Sequence, residues 1–354
     1  MNSAYPIRPS IFRVAALQVP ASVRWRRLIA SVGLLVVLTS CWQKGSIRSE
    51  LVRENQRGVQ LVSVKNSKIY NVSFADGSMI QSAPFTGNPT GVSGAISPEG
   101  TQIAIELCSS GTTTPILSAY VCGGPSTLAI FGIGQKSMKE FPGFVPSIDI
   151  CWSHDLSKLA LTGNDRRRGA PGGFGLLILD LKTGETRTIV DGPESVVDSQ
   201  CWSPDDKKIV YFMNMSMGRQ IARVYDTETS RSSDLADGGH PTWSPDGSRI
   251  AFLHCPPSLV GCEYYAIRVK DGKQQLLFKP SFAEGGLSWS PDSRFVAYIG
   301  GANFSDSKLS SLLGETRRLR VRRLEDNVEE PFLYFFGGDV MWFNWVSKPA
   351  PIGY

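Results

Sequence analysis

The sequence predicts an all-β fold, a six-bladed β-propeller built from four-stranded blades. Two observations predict it: a strand–turn–strand phrase that recurs along the chain, and a C-terminal segment that can complete the N-terminal blade. The phrase is clearest at residues 242–252, TWSPDGSRIAF. Successive copies are 41 to 56 residues apart. An all-β chain with a period of roughly 40–50 residues is typical of propellers.

Each part of the phrase has a structural reason. Trp243 provides a large apolar anchor, and Pro245 fixes φ at about −65° for a tight turn. Gly247 accepts backbone angles that other residues resist, and residues 250–252 then resume the strand. The serines that mark the five copies are Ser97, Ser153, Ser203, Ser244 and Ser290.

A second unit, a β-hairpin, lies between the copies of the phrase. Its clearest examples turn around residues 76–77, 182–184 and 271–272, and Asp-Gly at two of them favours the tight hairpin turn. We count six hairpins and five phrases, so each phrase is expected to form two inner strands and the following hairpin two outer ones. Trp345 then supplies the missing inner tryptophan, and the C-terminal strand closes the ring with no free edge. Seven blades is the alternative, if residues 47–64 hold more strand.

The N-terminal segment has the features of an export signal. Residues 24–27 (RWRR) precede the apolar run 28–38, which is shorter than a comfortable membrane span. Residues 38–41 (LTSC) resemble the bacterial lipobox, so Cys41 is the expected lipidation site. An ordinary cleaved signal or a short anchor is the alternative. By the same resemblance, Trp42 in place of aspartate implies an outer-membrane lipoprotein that faces the periplasm.

These features predict the organisation of the chain. We expect a lipoprotein signal peptide at 1–40, a lipid-anchored tether at 41–57, the propeller at 58–346 and a tail at 347–354. The formal charge of +5 comes from five arginines of the signal peptide, and the remainder has 32 basic and 32 acidic residues. A nucleic-acid partner is therefore not expected.

The Trp-Ser-Pro-Asp-Gly repeats resemble those of TolB-like six-bladed propellers, which also occur in prolyl oligopeptidases. The resemblance covers residues 58–346 and implies the fold. TolB itself has an additional N-terminal α/β domain, for which this chain has no room, and the oligopeptidases add a hydrolase domain. The resemblance therefore implies the fold without either activity.

One end of the central channel is a candidate ligand site. His240 precedes the inner tryptophan by three residues, and Asp149 and Asp198 fall near the corresponding points of other blades. Histidine beside carboxylates can hold a metal ion or a polar ligand, although solvated channel residues are the alternative. No catalytic motif, metal site or cofactor is predicted, so an enzyme is not expected. A metal-assisted lyase or hydrolase, or a binder of small ligands, remains the alternative function.

The long insertions fall between the second and third strands of a blade, so all should emerge on one face. Arg166, Arg167 and Arg168 lie in one insertion and could meet an acidic partner or lipid headgroups, or could simply be solvated. Two cysteine pairs bracket other insertions and are expected to form disulfides: Cys108 with Cys122, and Cys255 with Cys262.

Two further cysteines, Cys151 and Cys201, precede tryptophans in adjacent blades. We expect both to be free and buried, with a bond between blades as the other interpretation. Taken together, these features predict a monomeric, lipid-anchored scaffold that binds an envelope protein through its loop-rich face.

Overall fold

The structure is a computed structural model that describes residues 46–53, 58–63, 68–73, 79–81, 91–108, 113–116, 119–122, 126–132, 138–145, 150–165, 175–190, 197–215, 219–256, 261–280, 284–301, 316–336 and 342–345. Within them it has one helix, α1 (Ile47–Arg53), and 27 β-strands. No helix among these residues is long and apolar enough to cross a membrane.

The strands form antiparallel sheets, which we number along the chain. Sheet 1 contains β1 (Gly58–Ser63), β2 (Lys68–Ser73), β3 (Met79–Gln81) and the C-terminal β27 (Trp342–Trp345). Sheet 2 contains β4 (Gly91–Ile96), β5 (Gln102–Cys108), β8 (Ser126–Gly132) and β9 (Met138–Pro142). A separate hairpin within its long connection is formed by β6 (Thr113–Ile116) and β7 (Ala119–Cys122).

The remaining sheets follow in chain order. Sheet 3 contains β10 (Phe144–Val145), β11 (Ile150–Trp152), β12 (Lys158–Asp165), β13 (Gly175–Asp180) and β14 (Thr186–Val190). Sheet 4 contains β15 (Val197–Trp202), β16 (Lys208–Asn214), β17 (Gln220–Asp226) and β18 (Arg231–Asp237). Sheet 5 contains β19 (Gly239–Trp243), β20 (Arg249–His254), β21 (Glu263–Arg268) and β22 (Gln274–Phe278). Sheet 6 contains β23 (Glu284–Trp289), β24 (Phe295–Gly301), β25 (Thr316–Arg323) and β26 (Glu329–Phe336).

The prediction of an all-β propeller with four-stranded antiparallel blades is confirmed. The innermost strands contact one another in a closed circle, in the order β27, β4, β11, β15, β19, β23 and back to β27. The first and last strands meet in sheet 1, where β27 pairs with β1 and Trp345 lies opposite Val59. On the other side of β1, Leu61 lies opposite Tyr70. Each phrase forms the two inner strands of its sheet, as predicted.

The prediction of uniform blades needs one correction. Five sheets have four strands, whereas sheet 3 has five. Its innermost position is divided, because β10 and β11 both pair with the same strand, β12, at successive places. The alternative of seven blades required further strands in residues 47–64, and the described part of that segment holds only α1 and β1.

The Ser-Pro-Asp-Gly turn is held by its own side chains, which explains why these residues recur. The Ser244 hydroxyl donates to Asp246 Oδ1 at 2.5 Å and accepts a bond from the Arg249 amide at 2.9 Å. Gly247 has a φ of 68° and donates its amide to the Ser244 carbonyl. Ser244 is fully buried, so its hydroxyl satisfies a backbone group that water cannot reach. The serines at 153, 203 and 290 make the same contacts.

The same hydrogen bonds act on the carboxylates of these turns. Burial raises the pKa of Asp155, but hydrogen bonds from Ser153 and Ser157 outweigh burial and hold that pKa at about 2. Burial and the bonds from Ser244 and Ser248 act in the same opposing way on Asp246, whose pKa is lowered. The charged form of these side chains is therefore part of the folded turn.

The core lies between neighbouring sheets, where the inner tryptophans pack. Trp202 is 2% exposed and packs with Tyr211 of its own sheet and with Leu176 and Ile178 of sheet 3. The inner strands are accordingly buried along most of their length, whereas outer strands such as β18 are largely exposed. The apolar contacts that stabilise the fold are thus made from one sheet to the next.

Part of the expected tether is folded. Residues 47–53 form α1, whose Ile47 and Leu51 are fully buried. These two residues are four positions apart and so lie on one side of the helix. The residues between them in the sequence are polar or charged. The helix contacts β25 and β26.

Candidate functional site

The sheet topology separates the two ends of the propeller. The turns between strands 1 and 2 and between strands 3 and 4 of each sheet lie at one end, which we call the turn face. The connections between strands 2 and 3 and the starts of the innermost strands lie at the other end, which we call the loop-bearing face. The strand ends that carry the long insertions therefore all lie on the loop-bearing face.

The innermost strands share an irregular start. The pairing register shifts between Asp198 and Cys201 in β15, between Gly239 and Thr242 in β19, and between Glu284 and Leu287 in β23. A register shift leaves extra residues on the inner strand and re-aims its side chains. Such irregular starts around the channel suit a ligand or partner better than a uniform ladder does.

His240 lies at this irregular start of β19. Its φ of 51° is in the left-handed region, which a non-glycine residue rarely adopts. Gly238, two residues before His240, has a φ of 153°. A Cβ there would lie 2.6 Å from the Phe252 ring and 2.8 Å from the Leu253 carbonyl. Only glycine fits at 238, so the backbone that presents His240 is fixed by its neighbours.

His240 lies between neighbouring sheets at the channel. Its ring packs against Phe212 of sheet 4, with 5.0 Å between ring centroids. A Cβ on Gly286 of sheet 6 would lie 3.5 Å from the Cβ of His240. His240 and Gly286 occupy equivalent positions, so equivalent positions of adjacent sheets are close neighbours around the axis.

The other two predicted channel ligands are only partly placed. The backbone of Asp198 lies opposite Phe212, the residue whose ring touches His240. The side chain of Asp198 and the whole of Asp149 are outside the described residues. Among the residues described, no three histidine, cysteine or carboxylate side chains are grouped so as to hold a metal ion. The channel ligand set therefore stays a prediction.

A polar network lies on the rim beside His240. Arg219 pairs with Asp237, with 2.7 Å between Nη2 and Oδ1, and this pair closes the edge of sheet 4. The amide of Gln220 donates to Asn214 Oδ1 at 3.0 Å, and the ring of His254 lies 3.1 Å from the Asp237 carbonyl. Sheets 4 and 5 are thus joined by polar contacts on the loop-bearing face.

A second cluster continues the rim on sheet 5. Glu263 accepts hydrogen bonds from Lys279 and from the Tyr265 hydroxyl, both at 2.8 Å. These bonds lower the pKa of Glu263, and they raise the pKa of Lys279 and of Tyr265. The cluster therefore presents a fixed carboxylate and a fixed ammonium group at neutral pH.

Cysteine geometry differs between the predicted pairs. Cys255 and Cys262 form a disulfide with a Cα–Cα distance of 4.2 Å, and it braces the connection between β20 and β21. Cys108 ends β5 and Cys122 ends β7, but neither side chain is among those described. The pairing of Cys108 with Cys122 stays a prediction, as does the partner role of residues 166–168, which also fall outside the described ranges.

Cys151 and Cys201 come together across sheets 3 and 4. Their sulfur atoms are 2.6 Å apart, which is closer than two thiols normally approach. Both side chains are half-buried rather than buried. The expectation that both are buried is therefore wrong, whereas a bond between the blades stays a prediction. The two sulfurs are in contact because adjacent innermost strands bring the residues before the two tryptophans face to face.

A cleft of about 320 Å³ lies on the turn face between sheets 3 and 4. Its walls include Trp202 and Arg187. Among the described atoms the indole N–H of Trp202 has no hydrogen-bond partner, and the same holds for Trp243 and Trp289. The indole of Trp152 instead donates to a neighbouring carbonyl at 3.0 Å. An unsatisfied indole is thus common to several repeats and does not by itself mark the cleft as a site.

Sequence reasoning missed one feature, the docked helix α1. Its signal is short: Ser46 caps the helix by accepting the Ser49 amide at 3.2 Å, and Ile47 and Leu51 have helical spacing. Seven residues are too few to form a stable helix alone. The helix therefore depends on its contacts with sheet 6, which its own sequence does not indicate.

Comparison with known proteins supports the fold. No protein-family model matches the chain, and no curated protein matches it. Among solved structures, TolB from Acinetobacter baumannii has a TM-score of 0.60 at 15% identity, covering 81% of this chain and 65% of that chain. A putative TolB from Agrobacterium tumefaciens has a TM-score of 0.54 at 15% identity, covering 79% of this chain and 90% of that one.

An enzyme shares the same architecture. An oligogalacturonate lyase in complex with manganese has a TM-score of 0.52 at 14% identity, covering 80% of this chain and 81% of that chain. The structural neighbours are thus TolB-like propellers, as the repeats predicted. At these identities the similarity shows the fold alone, and less than two thirds of the Acinetobacter TolB is matched.

Proposed function

We propose that this protein is a lipid-anchored scaffold of the bacterial cell envelope that faces the periplasm and binds a protein partner through its loop-bearing face. The observation that carries the proposal is the rim at sheets 4 and 5, where ion pairs and a disulfide hold the ends of two connections. Groups already fixed in place lose less conformational entropy on binding. The outer-membrane anchor rests on the lipobox-like residues 38–41 and on Trp42.

The anchor has a direct test. In cells grown with an alkyne-bearing fatty acid, the full chain should become labelled and should sediment with the membranes, whereas Cys41→Ser should do neither. An unlabelled wild-type chain would overturn the anchor and would leave partner binding as a separate question.

The partner face can be tested with two matched arginines. Arg219 lies on the loop-bearing face, is 61% exposed and pairs with Asp237. Arg268 lies on the turn face, is 56% exposed and pairs with Asp271. Charge reversal therefore makes the same chemical change at opposite ends of the propeller. Because rim charges steer association, Arg219→Glu should reduce partner capture about tenfold or more.

The measurement is crosslinking in intact cells, purification of the full chain and quantitative mass spectrometry. We expect a partner that is enriched with wild type and Arg268→Glu and depleted with Arg219→Glu. Equal capture by both variants would show that the loop-bearing face is the wrong surface. Equal loss from both would indicate nonspecific electrostatic attraction instead of a docking site.

A second candidate function, metal-assisted lyase or hydrolase chemistry or small-ligand binding, is favoured by His240. A residue held in the left-handed region is characteristic of functional sites, and the fold is shared with the lyase solved with manganese. Asp149 and Asp198 are the other side chains of this candidate. Elemental analysis of the purified chain, incubated with manganese and desalted, tests it. Stoichiometric metal in wild type and in His254→Ala, but not in His240→Ala, would favour the second function over the scaffold.

A further inference from the structure

Helix α1 is fastened to the propeller by apolar and polar contacts together. Ile47 and Leu51 have no exposed surface. The Ile47 amide, which has no partner within the helix, donates to Glu330 Oε1 at 2.9 Å. An isolated helix of this length would not be stable in water, so these contacts hold it in shape.

A buried charge cluster fixes the direction of the helix. Glu50 is 9% exposed and forms ion pairs with Arg323, which is 5% exposed, and with Arg294 at 2.6 Å. Arg323 also binds both oxygens of Asp326, each at 2.9 Å. The hydrogen bonds that Arg323 donates to Asp326 and Glu50 raise the pKa of Arg323, so the guanidinium stays charged. A helix that turned away would leave a buried arginine short of one partner.

The polar partners of α1 lie on the turn face. Arg294 directly follows the turn between β23 and β24, and Asp326 lies in the turn between β25 and β26. Glu330 is the second residue of β26, next to the same turn. The chain therefore enters the propeller at the end opposite to the loop-bearing face.

We infer that α1 orients the propeller on the membrane, with the turn face nearer to the bilayer and the loop-bearing face directed away from it. The inference rests on the proposed lipidation of Cys41. Cys41 and Ile47 are six positions apart along the chain, a distance of at most about 22 Å when fully extended. A seven-residue strand such as β17 is itself about 23 Å long. The segment from Cys41 to Ile47 is therefore too short to run from the turn face along a sheet and beyond the loop-bearing face. The partner that fits the turn face is the lipid surface, and the loop-bearing face is left for a protein.

The experiment compares the two ends of one strand. A dye is attached through an azide-bearing phenylalanine that replaces either Glu228, in the turn after β17, or Met215, in the loop before it. The native cysteines are not touched. The full lipidated chain is reconstituted into phosphatidylethanolamine–phosphatidylglycerol vesicles with acceptor-labelled headgroups. Energy transfer from position 228 should exceed transfer from position 215.

The docked helix should be the cause of that difference. Glu50→Arg places a like charge against Arg323 and Arg294 and should release α1, after which transfer from the two positions becomes equal. Ser49→Arg places the same side chain on the exposed side of the helix and should keep the difference. Circular dichroism of each variant shows that the propeller is still folded.

The outcomes separate this inference from the proposed function. Protein that does not float with the vesicles refutes the lipid anchor itself. Anchored protein with equal transfer from both positions, or with greater transfer from 215, overturns the orientation while the anchor stands. A difference that persists in Glu50→Arg shows that something other than α1 sets the orientation, and also overturns the inference.

Discussion

Replacement of Trp345 by alanine should open the ring at sheet 1. The Trp345 side chain is 4% exposed, its ring stacks on Phe295 with 6.4 Å between centroids, and its amide donates to Ser288 Oγ at 3.0 Å. A buried tryptophan removes up to about 250 Å² from water, which at about 25 cal/mol/Å² is worth at most about 6 kcal/mol. Truncations of this kind cost about 3–5 kcal/mol. We therefore expect Trp345→Ala to lower the free energy of unfolding by about 4 kcal/mol.

Urea unfolding followed by far-ultraviolet circular dichroism measures the loss. Trp202→Ala is the matched control, because Trp202 is 2% exposed in a sheet that contains neither the first nor the last strand. Both variants should lose similar stability, but only Trp345→Ala should speed hydrogen exchange selectively in β1, whose partner is β27. Equal exchange of β1 in the two variants would refute the reasoning that Trp345 latches the ring.

The remaining predictions concern single turns and one cysteine pair. Ser244→Ala should cost about 1–3 kcal/mol because a buried amide loses its acceptor, whereas Ser248→Ala, on an exposed hydroxyl, should cost under about 0.5 kcal/mol. Urea midpoints compare them, and equal losses would contradict the capping role of Ser244. Acid should destabilise the fold between about pH 4 and pH 2, because the pKa of Asp155 is about 2 in the fold against 3.8 ordinarily and its stabilisation is lost as pH falls through the folded value. Thermal melts of Asp155→Asn should show a weaker acid dependence, and an unchanged dependence would count against it. In protein exported to an oxidising compartment, Cys151 and Cys201 should form a disulfide, since their sulfurs are 2.6 Å apart; reaction of both with maleimide after nonreducing denaturation would disprove it.

The repeating fold was predictable because its causes are local. The Ser-Pro-Asp-Gly turn is closed by bonds within five residues, from Ser244 to Arg249, so the sequence displays the complete chemistry. Cys255 and Cys262 are only seven residues apart, so their disulfide could be predicted for the same reason. Closure through Trp345 followed from counting, because a ring needs an inner strand for every outer hairpin.

The features that the sequence did not reveal depend on distant contacts. Glu50 is 244 residues from Arg294 and 273 residues from Arg323 in the sequence, so nothing near α1 indicates that the helix is docked. Cys151 and Cys201 are 50 residues apart, and only the contact between adjacent innermost strands brings their sulfurs together. His240 was singled out by its position, but its left-handed backbone depends on the packing of Gly238 against Phe252.

The pairing of β27 with β1 also governs when the protein can finish folding. Val59 and Trp345 are 286 residues apart, so one edge of β1 stays unpaired until β27 has been synthesised. During synthesis that edge presents unpaired backbone groups to any other extended chain. Biogenesis should therefore be the stage at which this protein is most prone to aggregate and most dependent on a chaperone that covers strand edges.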